Sequence, residues 1–201
     1  MKALIITDIQ NDFLPGGALA VPGGDEIIDT VNDIQSRFPL VVATQDWHPP
    51  VHKSFASQHP GKKVMETIML GETEQILWPD HCVQGTAGAA LSDKLSTERI
   101  EALFRKGMDP EIDSYSTFYD NEHKKNTGLA DYLKGRGVKQ VYLSGLAGDF
   151  CVGFSALDAL NEGFDTFLIE DATKPIDNEG FEKMKERIKK LGGKIIHADN
   201  I

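Results

Sequence analysis

The chain has few cysteines and few basic residues, and it has no long apolar run. Two cysteines in 201 residues cannot form a disulfide framework and favour free thiols in a reducing, cytoplasmic setting. Only 21 Lys and Arg stand against 31 Asp and Glu, which gives a formal net charge of −10. Nucleic acids and anionic membranes are bound through a basic face, so we expect neither as a partner.

No stretch reaches the roughly 18 apolar residues of a membrane span, and the short apolar run after Met1 lacks the features of a signal peptide.

Two nucleotide-binding motifs are also missing. The chain contains neither a G-x-G-x-x-G turn between its first strand and a helix nor a G-x-x-x-x-G-K-[ST] loop, and this disfavours a nucleotide as the ligand. No repeat, low-complexity tract or linker interrupts the sequence. We therefore expect one domain over residues 1–201, acting on a small molecule; whether it forms a homo-oligomer is left open.

Short apolar runs rich in β-branched residues alternate with segments of helical periodicity, which predicts an α/β fold with a mostly parallel sheet between helices. The predicted strands are Ala3–Thr7, Leu40–Thr44, Ala102–Phe104, Gln140–Ser144, Thr166–Glu170 and Lys194–His197. The predicted helices are Asp25–Phe38, Thr127–Arg136, Phe150–Leu160 and Glu179–Leu191. The segments Asn11–Gly24 and Asp46–Gln84 are read as irregular loops beyond the carboxyl ends of strands, where open parallel sheets bind their ligands.

Cys151 lies at the predicted start of a helix, where the helix dipole favours a thiolate. Asp8 and Lys106 follow other strands and should reach the same edge of the sheet, so a carboxylate base, an ammonium and a thiol nucleophile would meet there. Each residue also has a purely structural interpretation: Cys151 as a small core side chain, Asp8 as a turn cap and Lys106 as a solvated strand end.

The turn before Cys151 is rich in small residues, Gly145-Leu-Ala-Gly-Asp-Phe. Backbone N–H groups of Ala147 and Cys151 could approach a substrate closely there and form an oxyanion hole. An ordinary strand-to-helix turn capped by Asp149 is the alternative, and the two interpretations are compatible.

A second group of residues has the chemistry of metal ligands. Asp46, His48 and His52 lie close together in the sequence, and Trp78-Pro-Asp-His81-Cys82 follows. One carboxylate and three imidazoles suit zinc, iron or manganese. His59 and Cys82 are rival ligands.

These motifs occur together in the order found in the isochorismatase-like cysteine hydrolases, and among them the chain resembles the nicotinamidases (pyrazinamidases). The motifs are Asp8-Ile-Gln-Asn-Asp-Phe13, Gln45-Asp-Trp-His48 with His52, Trp78-Pro-Asp-His-Cys-Val-Gln-Gly-Thr86, Lys106-Gly107, Asp113-Ser-Tyr-Ser-Thr-Phe118 and Gly145-Leu-Ala-Gly-Asp-Phe-Cys151.

The resemblance implies a three-layer αβα fold with a six-stranded parallel sheet, and a catalytic set of Asp8, Lys106 and Cys151. It implies a divalent metal, zinc first, held by Asp46, His48, His52 and His81, and a pocket for a flat ring lined by Phe13, Leu19, Trp78 and Tyr115. The implied activity is the hydrolysis of nicotinamide to nicotinate and ammonia through a thioester, in NAD salvage, with pyrazinamide as a further substrate.

One position departs from the family pattern. The chain has Gly148 where such enzymes usually carry threonine, and the missing β-carbon predicts a looser nucleophile turn. Three other functions stay open at this point. They are a relative that acts on a carbamoyl or isochorismate-like substrate, a non-catalytic metal-binding or redox-sensing protein, and a hydrolase with metal-bound water as its nucleophile.

Overall fold

The computed structural model describes all residues from Met1 to Ile201, and its centre is a six-stranded parallel sheet. The sheet strands are β1 (Lys2–Thr7), β2 (Val41–Asp46), β5 (Ile100–Lys106), β6 (Gln140–Leu146), β7 (Asp165–Lys174) and β8 (Lys194–Ile196), while β3 (Thr67–Leu70) and β4 (Thr73–Ile76) form a separate antiparallel hairpin. The sheet order is β5-β2-β1-β6-β7-β8, and every pair in it is parallel. All six predicted strands are present.

Helices cover both faces of the sheet, so the predicted three-layer fold is confirmed. The helices are α1 (Ile28–Ile34), α2 (Leu129–Gly135), α3 (Cys151–Asn161) and α4 (Asn178–Lys190). Side chains alternate along β1: Leu4 and Ile6 join the core under α1, whereas Ala3 and Ile5 join the core under the other three helices. This two-sided burial explains why the central strands read as continuous apolar runs. No helix combines the length and apolar character that a membrane crossing requires.

Two sequence predictions differ from the structure. The predicted helix over residues 25–38 is an α-helix of seven residues between two 3₁₀ turns, Gly24–Ile27 and Gln35–Arg37. No side chain caps its start, and β-branched residues lower helix propensity. The segment predicted as an irregular loop over residues 46–84 contains the β3–β4 hairpin. Side chains along β3 alternate between exposed and half-buried, and the one buried side chain of β4 is the polar Gln75, so the hairpin carries little apolar signal.

The strand order reverses at β1, because the chain first moves outward to β2 and β5 and then returns to place β6 on the other side. In open α/β sheets such a switch point leaves a crevice beyond the carboxyl ends of the strands. The ends of β1, β2, β5 and β6 therefore define where a site can form.

Candidate active site

Four strand ends bring the predicted catalytic residues together. Asp8 follows β1 directly, Asp46 and Lys106 are the last residues of β2 and β5 and are paired in register, and Cys151 begins α3 after the turn that leaves β6. All four side chains are buried. The sheet topology alone thus gathers residues that lie up to 143 positions apart in the chain, from Asp8 to Cys151.

Lys106 contacts each of the other three side chains in this group. Its Nζ lies 3.0 Å from Asp8 Oδ2 and 3.3 Å from Asp46 Oδ1. It also lies 3.5 Å from Cys151 Sγ and donates to the Ser114 carbonyl at 2.9 Å. Burial lowers the pKa of the ammonium, but the two carboxylates outweigh it and hold the pKa of Lys106 well above its usual value. Lys106 is therefore a permanent cation beside the thiol.

Asp8 is held from two sides. The Thr44 hydroxyl donates to Oδ1 at 2.6 Å, and Lys106 lies against Oδ2. The backbone of Asp8 has φ +49, in the left-handed region that aspartate tolerates better than most residues. Burial raises the pKa of the Asp8 carboxyl even though Lys106 opposes it. A carboxylate with a raised pKa is a better proton acceptor than one in water.

The Cys151 thiol is protonated at rest, contrary to what its helix-start position suggested. Burial raises the pKa of the thiol well above its usual value, and the Lys106 ammonium lowers it only in part. The nearby Asp8 and Asp46 carboxylates raise it further. Desolvation therefore dominates over the helix dipole here, and the thiol needs a base.

The turn between β6 and α3 has unpaired N–H groups at the two predicted positions. Gly148 donates to the Lys174 carbonyl at 2.9 Å, and Phe150 and Val152 both donate to the Ala147 carbonyl. The N–H groups of Ala147 and Cys151 take part in none of the hydrogen bonds at this turn. Two unpaired donors beside a thiol can hold a developing oxyanion.

Gly148 does not leave an empty space in this turn. A β-carbon built on Gly148 would lie 2.7 Å from the Phe181 ring, which projects from α4. The aromatic ring occupies the volume where the family's threonine side chain would stand. The turn is thus filled from the neighbouring helix instead of from its own side chain, and the missing β-carbon leaves no cavity.

The predicted metal ligands form two overlapping groups that share His48. The ligand atoms of Asp46, His48 and His81 lie within 4.8 Å of one another, and so do those of His48, His52 and Asp113. Asp46 Oδ2 is 3.1 Å from His48 Nε2 and 3.6 Å from His81 Nε2. Of the four predicted ligands, Asp46, His48 and His81 thus converge in one group, whereas His52 groups with His48 and with Asp113, which lies in the Asp113–Phe118 motif but was not predicted as a ligand.

The histidines are oriented for a metal. The Nδ1 atoms of His48, His52 and His81 are bonded to the Gly107 carbonyl, the Ser54 hydroxyl and the Pro79 carbonyl at 2.8, 2.7 and 2.8 Å. The Nε2 atom of His52 is buried and has no hydrogen-bond partner, while Nε2 of His48 and of His81 face Asp46 Oδ2. Burial lowers the pKa of His52 to about 4, so its imidazole is neutral. Burial also lowers the pKa of His48, but the Asp46 carboxylate outweighs it and raises that pKa above its usual value. Imidazoles with one nitrogen anchored and the other directed toward a shared carboxylate or left unpaired are placed to bind a divalent cation.

The two rival ligands lie outside both groups. His59 Nε2 is bonded to the Lys53 carbonyl at 2.7 Å. Cys82 is part of the apolar core under α1, where burial raises the pKa of its thiol, and its backbone N–H donates to Asp12 at 2.7 Å. Neither is among the residues whose ligand atoms converge.

A narrow cavity opens beside Cys151 and Ala147. All four predicted pocket residues line it: Phe13, Leu19, Trp78 and Tyr115. Sequence reasoning missed Phe150 and Ile176. Phe150 directly precedes the nucleophile, and Ile176 follows β7, so the strand-end rule could have found both. The narrow, largely aromatic cavity suits a flat ring.

Comparisons with known proteins agree with this geometry. The Isochorismatase domain family matches residues 2–200. A nicotinamidase of Acinetobacter baylyi is 49% identical over 178 residues, covering 89% of this chain and 83% of the relative. The solved structure of an Acinetobacter baumanii nicotinamidase and pyrazinamidase superposes with a TM-score of 0.97 at 46% identity, covering 99% of this chain and 97% of the other. A Pyrococcus horikoshii pyrazinamidase solved in complex with zinc gives a TM-score of 0.80 at 40% identity, with 98% of each chain covered. The chain therefore belongs to the isochorismatase family.

Proposed function

We propose that this chain is a nicotinamidase, which hydrolyses nicotinamide to nicotinate and ammonia through a thioester on Cys151. The observation that carries the proposal is the convergence of a buried thiol, a carboxylate and an ammonium beside a narrow pocket lined by aromatic and apolar side chains. The similarity to the Acinetobacter nicotinamidases over most of the chain supports the choice of substrate. Such a reaction returns the pyridine ring as nicotinate for NAD salvage.

In the first half-reaction, Asp8 accepts the Cys151 proton and the sulfur attacks the carboxamide carbon. The raised pKa of Asp8 suits this transfer, and Lys106 stabilises the negative charge as it moves between the two groups. The N–H groups of Ala147 and Cys151 hold the oxyanion of the tetrahedral intermediate. Protonated Asp8 then returns the proton to the leaving nitrogen, the C–N bond breaks, and ammonia departs from a thioester.

In the second half-reaction, water takes the position that ammonia left. Asp8 accepts a proton from this water, and the water oxygen attacks the thioester carbon. The same oxyanion hole holds the oxyanion that forms. The C–S bond breaks and the sulfur leaves with the Asp8 proton, so that Cys151 is restored as a thiol. Nicotinate is released with its carboxyl group next to Asp8 and Asp46, and repulsion between like charges favours its departure.

Asp46, His48, His52 and His81 would hold the divalent metal, for which we propose zinc. Their carboxylate and anchored imidazoles match the ligands zinc prefers, and the Pyrococcus pyrazinamidase was solved with zinc. When bound, the metal supplies a Lewis-acid contact that fixes the ring, which is a positioning role. Trp78, Tyr115 and Phe13 confine the ring from its faces and edges.

Pyrazinamide should be a second substrate, because it keeps the carboxamide and a ring nitrogen at the same relative position. The two free thiols favour a reducing, cytoplasmic setting for a single catalytic domain over residues 1–201. We propose no nucleic acid or membrane partner, since the net charge is −10.

Ammonia release from nicotinamide, measured for wild type, Cys151→Ala and Cys82→Ala, tests the proposal. Cys82→Ala is the matched control because it removes the other buried thiol, which packs in the apolar core and does not line the pocket. We expect turnover in wild type and Cys82→Ala, and none in Cys151→Ala. Undiminished turnover by Cys151→Ala would remove the thioester from the mechanism. Turnover of a carbamoyl or isochorismate-like substrate in place of nicotinamide would identify another cysteine hydrolase of the same family.

A further inference from the structure

Asp113 is a buried carboxylate that the proposed reaction does not use. It is 4% exposed, its Oδ1 accepts from the Ser114 N–H at 2.8 Å, and its Oδ2 accepts from Gln75 Nε2 at 2.9 Å. Both donors are neutral, and no Lys, Arg or His forms an ion pair with it. A buried carboxylate without a cation is costly, so its retention calls for a compensating charge nearby.

Two histidine rings near Asp113 could bind a cation that supplies this charge. A carboxylate oxygen of Asp113 lies within 4.8 Å of ring nitrogens of both His48 and His52. The Nε2 atom of His52 is buried and makes no hydrogen bond, His48 Nε2 is paired with Asp46 Oδ2 at 3.1 Å, and the two ring centroids are 4.2 Å apart. Three potential ligands, from Asp113, His48 and His52, thus lie within 4.8 Å of one another.

The balance of charge in the site points the same way. Asp8, Asp46 and Asp113 are all buried carboxylates, and Lys106 is the one buried ammonium among them. When the carboxylates are ionised, the site has two negative charges in excess. A divalent cation neutralises this excess, whereas without Asp113 the same cation would leave the buried site positively charged.

We propose that Asp113 is the second carboxylate of the metal site, acting together with His52 and His48. The inference rests on the proposed function, because it uses the same divalent metal. It adds a residue that sets metal affinity and charge balance without taking part in proton transfer.

The β3–β4 hairpin contributes to the site through a hydrogen bond to Asp113. Gln75 of β4 is 1% exposed, and its Nε2 lies within hydrogen-bond distance of Asp113, of the Ile76 carbonyl at 2.8 Å and of the Tyr115 hydroxyl at 3.1 Å. The hairpin therefore fixes the direction of the Asp113 carboxylate. Groups that orient the ligands of a metal site typically change its affinity by about 10–100-fold when they are removed.

Zinc binding by the purified protein tests the inference, with a zinc-binding chromophore as competitor. Two variants remove the charge, Asp113→Asn and Asp113→Ser, and the serine keeps a short acceptor for the neighbouring N–H. Asp158→Asn is the matched control, because Asp158 is a buried carboxylate bonded to His123, away from the site. We expect zinc affinity to fall about 10–100-fold in both Asp113 variants and to stay unchanged in the control.

The melting temperature with zinc and with EDTA separates a metal role from a structural one. We expect zinc to raise the melting temperature of wild type and Asp158→Asn by the same amount, and that of the Asp113 variants by less. A merely structural Asp113 would lower both temperatures equally and leave the gain from zinc intact, which would overturn the inference. Equal zinc affinity in wild type and the Asp113 variants would also overturn the inference. That result would leave the proposed nicotinamidase function standing. If wild type itself bound no zinc, the metal of the proposed function would fail as well.

Discussion

At the scale of single residues, Lys106 determines how the site is held together. An ammonium that is 3% exposed is stable only because two carboxylates, a carbonyl and a thiol surround it. In the proposed mechanism the same contacts let it stabilise charge on whichever of Asp8 and Cys151 is deprotonated. We therefore expect structure and catalysis to depend on the same side chain.

Replacing Lys106 by methionine should reduce both stability and turnover. The substitution keeps the length of the side chain but leaves two buried carboxylates facing each other, and breaking a buried ion pair from one side costs about 3–5 kcal/mol. We expect kcat to fall by about 10²-fold or more, because the charge that passes between Asp8 and Cys151 is no longer stabilised. Urea unfolding and steady-state kinetics on the same preparation measure the two effects. A variant with wild-type kcat would contradict the role of the ammonium.

Thr44 offers a test through pH. Its hydroxyl donates to Asp8 and lowers the pKa of that carboxyl against the effect of burial. Thr44→Val removes the donor, so the pKa of Asp8 should rise. The base must be unprotonated to accept the thiol proton, so the acidic limb of the kcat/KM profile should move to higher pH. A pH profile of ammonia release measures the shift, and a limb that moved to lower pH would refute the assignment of Asp8 as the base.

Thr7→Val is the matched control for this substitution. Thr7 is buried on the neighbouring strand β1, and its hydroxyl has no hydrogen-bond partner. Removing an unpaired buried hydroxyl leaves no acceptor unsatisfied, so stability should stay equal or increase. The pH profile of Thr7→Val should match that of wild type.

At the scale of elements, the nucleophile turn and α4 form one packed unit. The Asp149 carboxylate accepts from the N–H groups of Ile176 and Asp177 at 2.9 and 2.8 Å, which ties the pocket wall to the turn. Phe181 of α4 fills the space above Gly148. The position of Cys151 therefore depends on a helix that contributes no catalytic group.

Gly148→Ala should be destabilising, and Phe181→Leu should relieve part of the cost. The new β-carbon would meet the aromatic ring at 2.7 Å, and overpacking of this kind costs about 1–3 kcal/mol. In the double variant the smaller side chain can yield, so the two effects should not be additive. A urea-unfolding cycle over the four proteins measures the coupling. Gly135→Ala is the control, because a β-carbon there meets no atom within 4 Å.

Strictly additive effects of Gly148→Ala and Phe181→Leu would show that the ring does not replace the missing side chain. A cost for Gly135→Ala as large as that for Gly148→Ala would assign the effect to the backbone.

The sequence was sufficient to predict the elements whose signal is local. The β1 and β6 runs are apolar on both faces and predicted two central strands, and the rule about carboxyl ends then brought Asp8 and Cys151 together. The β3–β4 hairpin escaped prediction because its side chains are largely exposed, and Asp113 escaped with it because its neighbours Gln75 and His52 are distant in the chain. The state of the Cys151 thiol also required the structure, since burial depends on all the surrounding elements.

At the scale of the whole molecule, the site exists only when the sheet is assembled. Its groups come from the ends of β1, β2, β5 and β6, which are adjacent in the sheet but far apart in sequence. No segment of the chain carries more than a part of it. The Gly145 backbone shows how closely the strands are packed, since a β-carbon there would lie 2.0 Å from the Thr7 carbonyl oxygen.

Activity and the sheet should therefore be lost together. In a urea titration at saturating zinc and nicotinamide, we expect ammonia release and the far-ultraviolet circular dichroism signal to share one midpoint, as in a two-state transition. Loss of activity at a clearly lower urea concentration, with the sheet signal intact, would mean that the loops and not the strand ends set the site.

The central claim is that Cys151 forms a covalent bond with the substrate, and intact-mass spectrometry after rapid acid quenching tests it most directly. Wild type mixed with excess nicotinamide should gain the mass of one nicotinoyl group, and peptide mapping should locate it on Cys151. The Cys82→Ala protein should gain the same mass and Cys151→Ala none. A nicotinoyl group found on Cys151→Ala, or hydrolysis by that variant at the wild-type rate, would contradict the account.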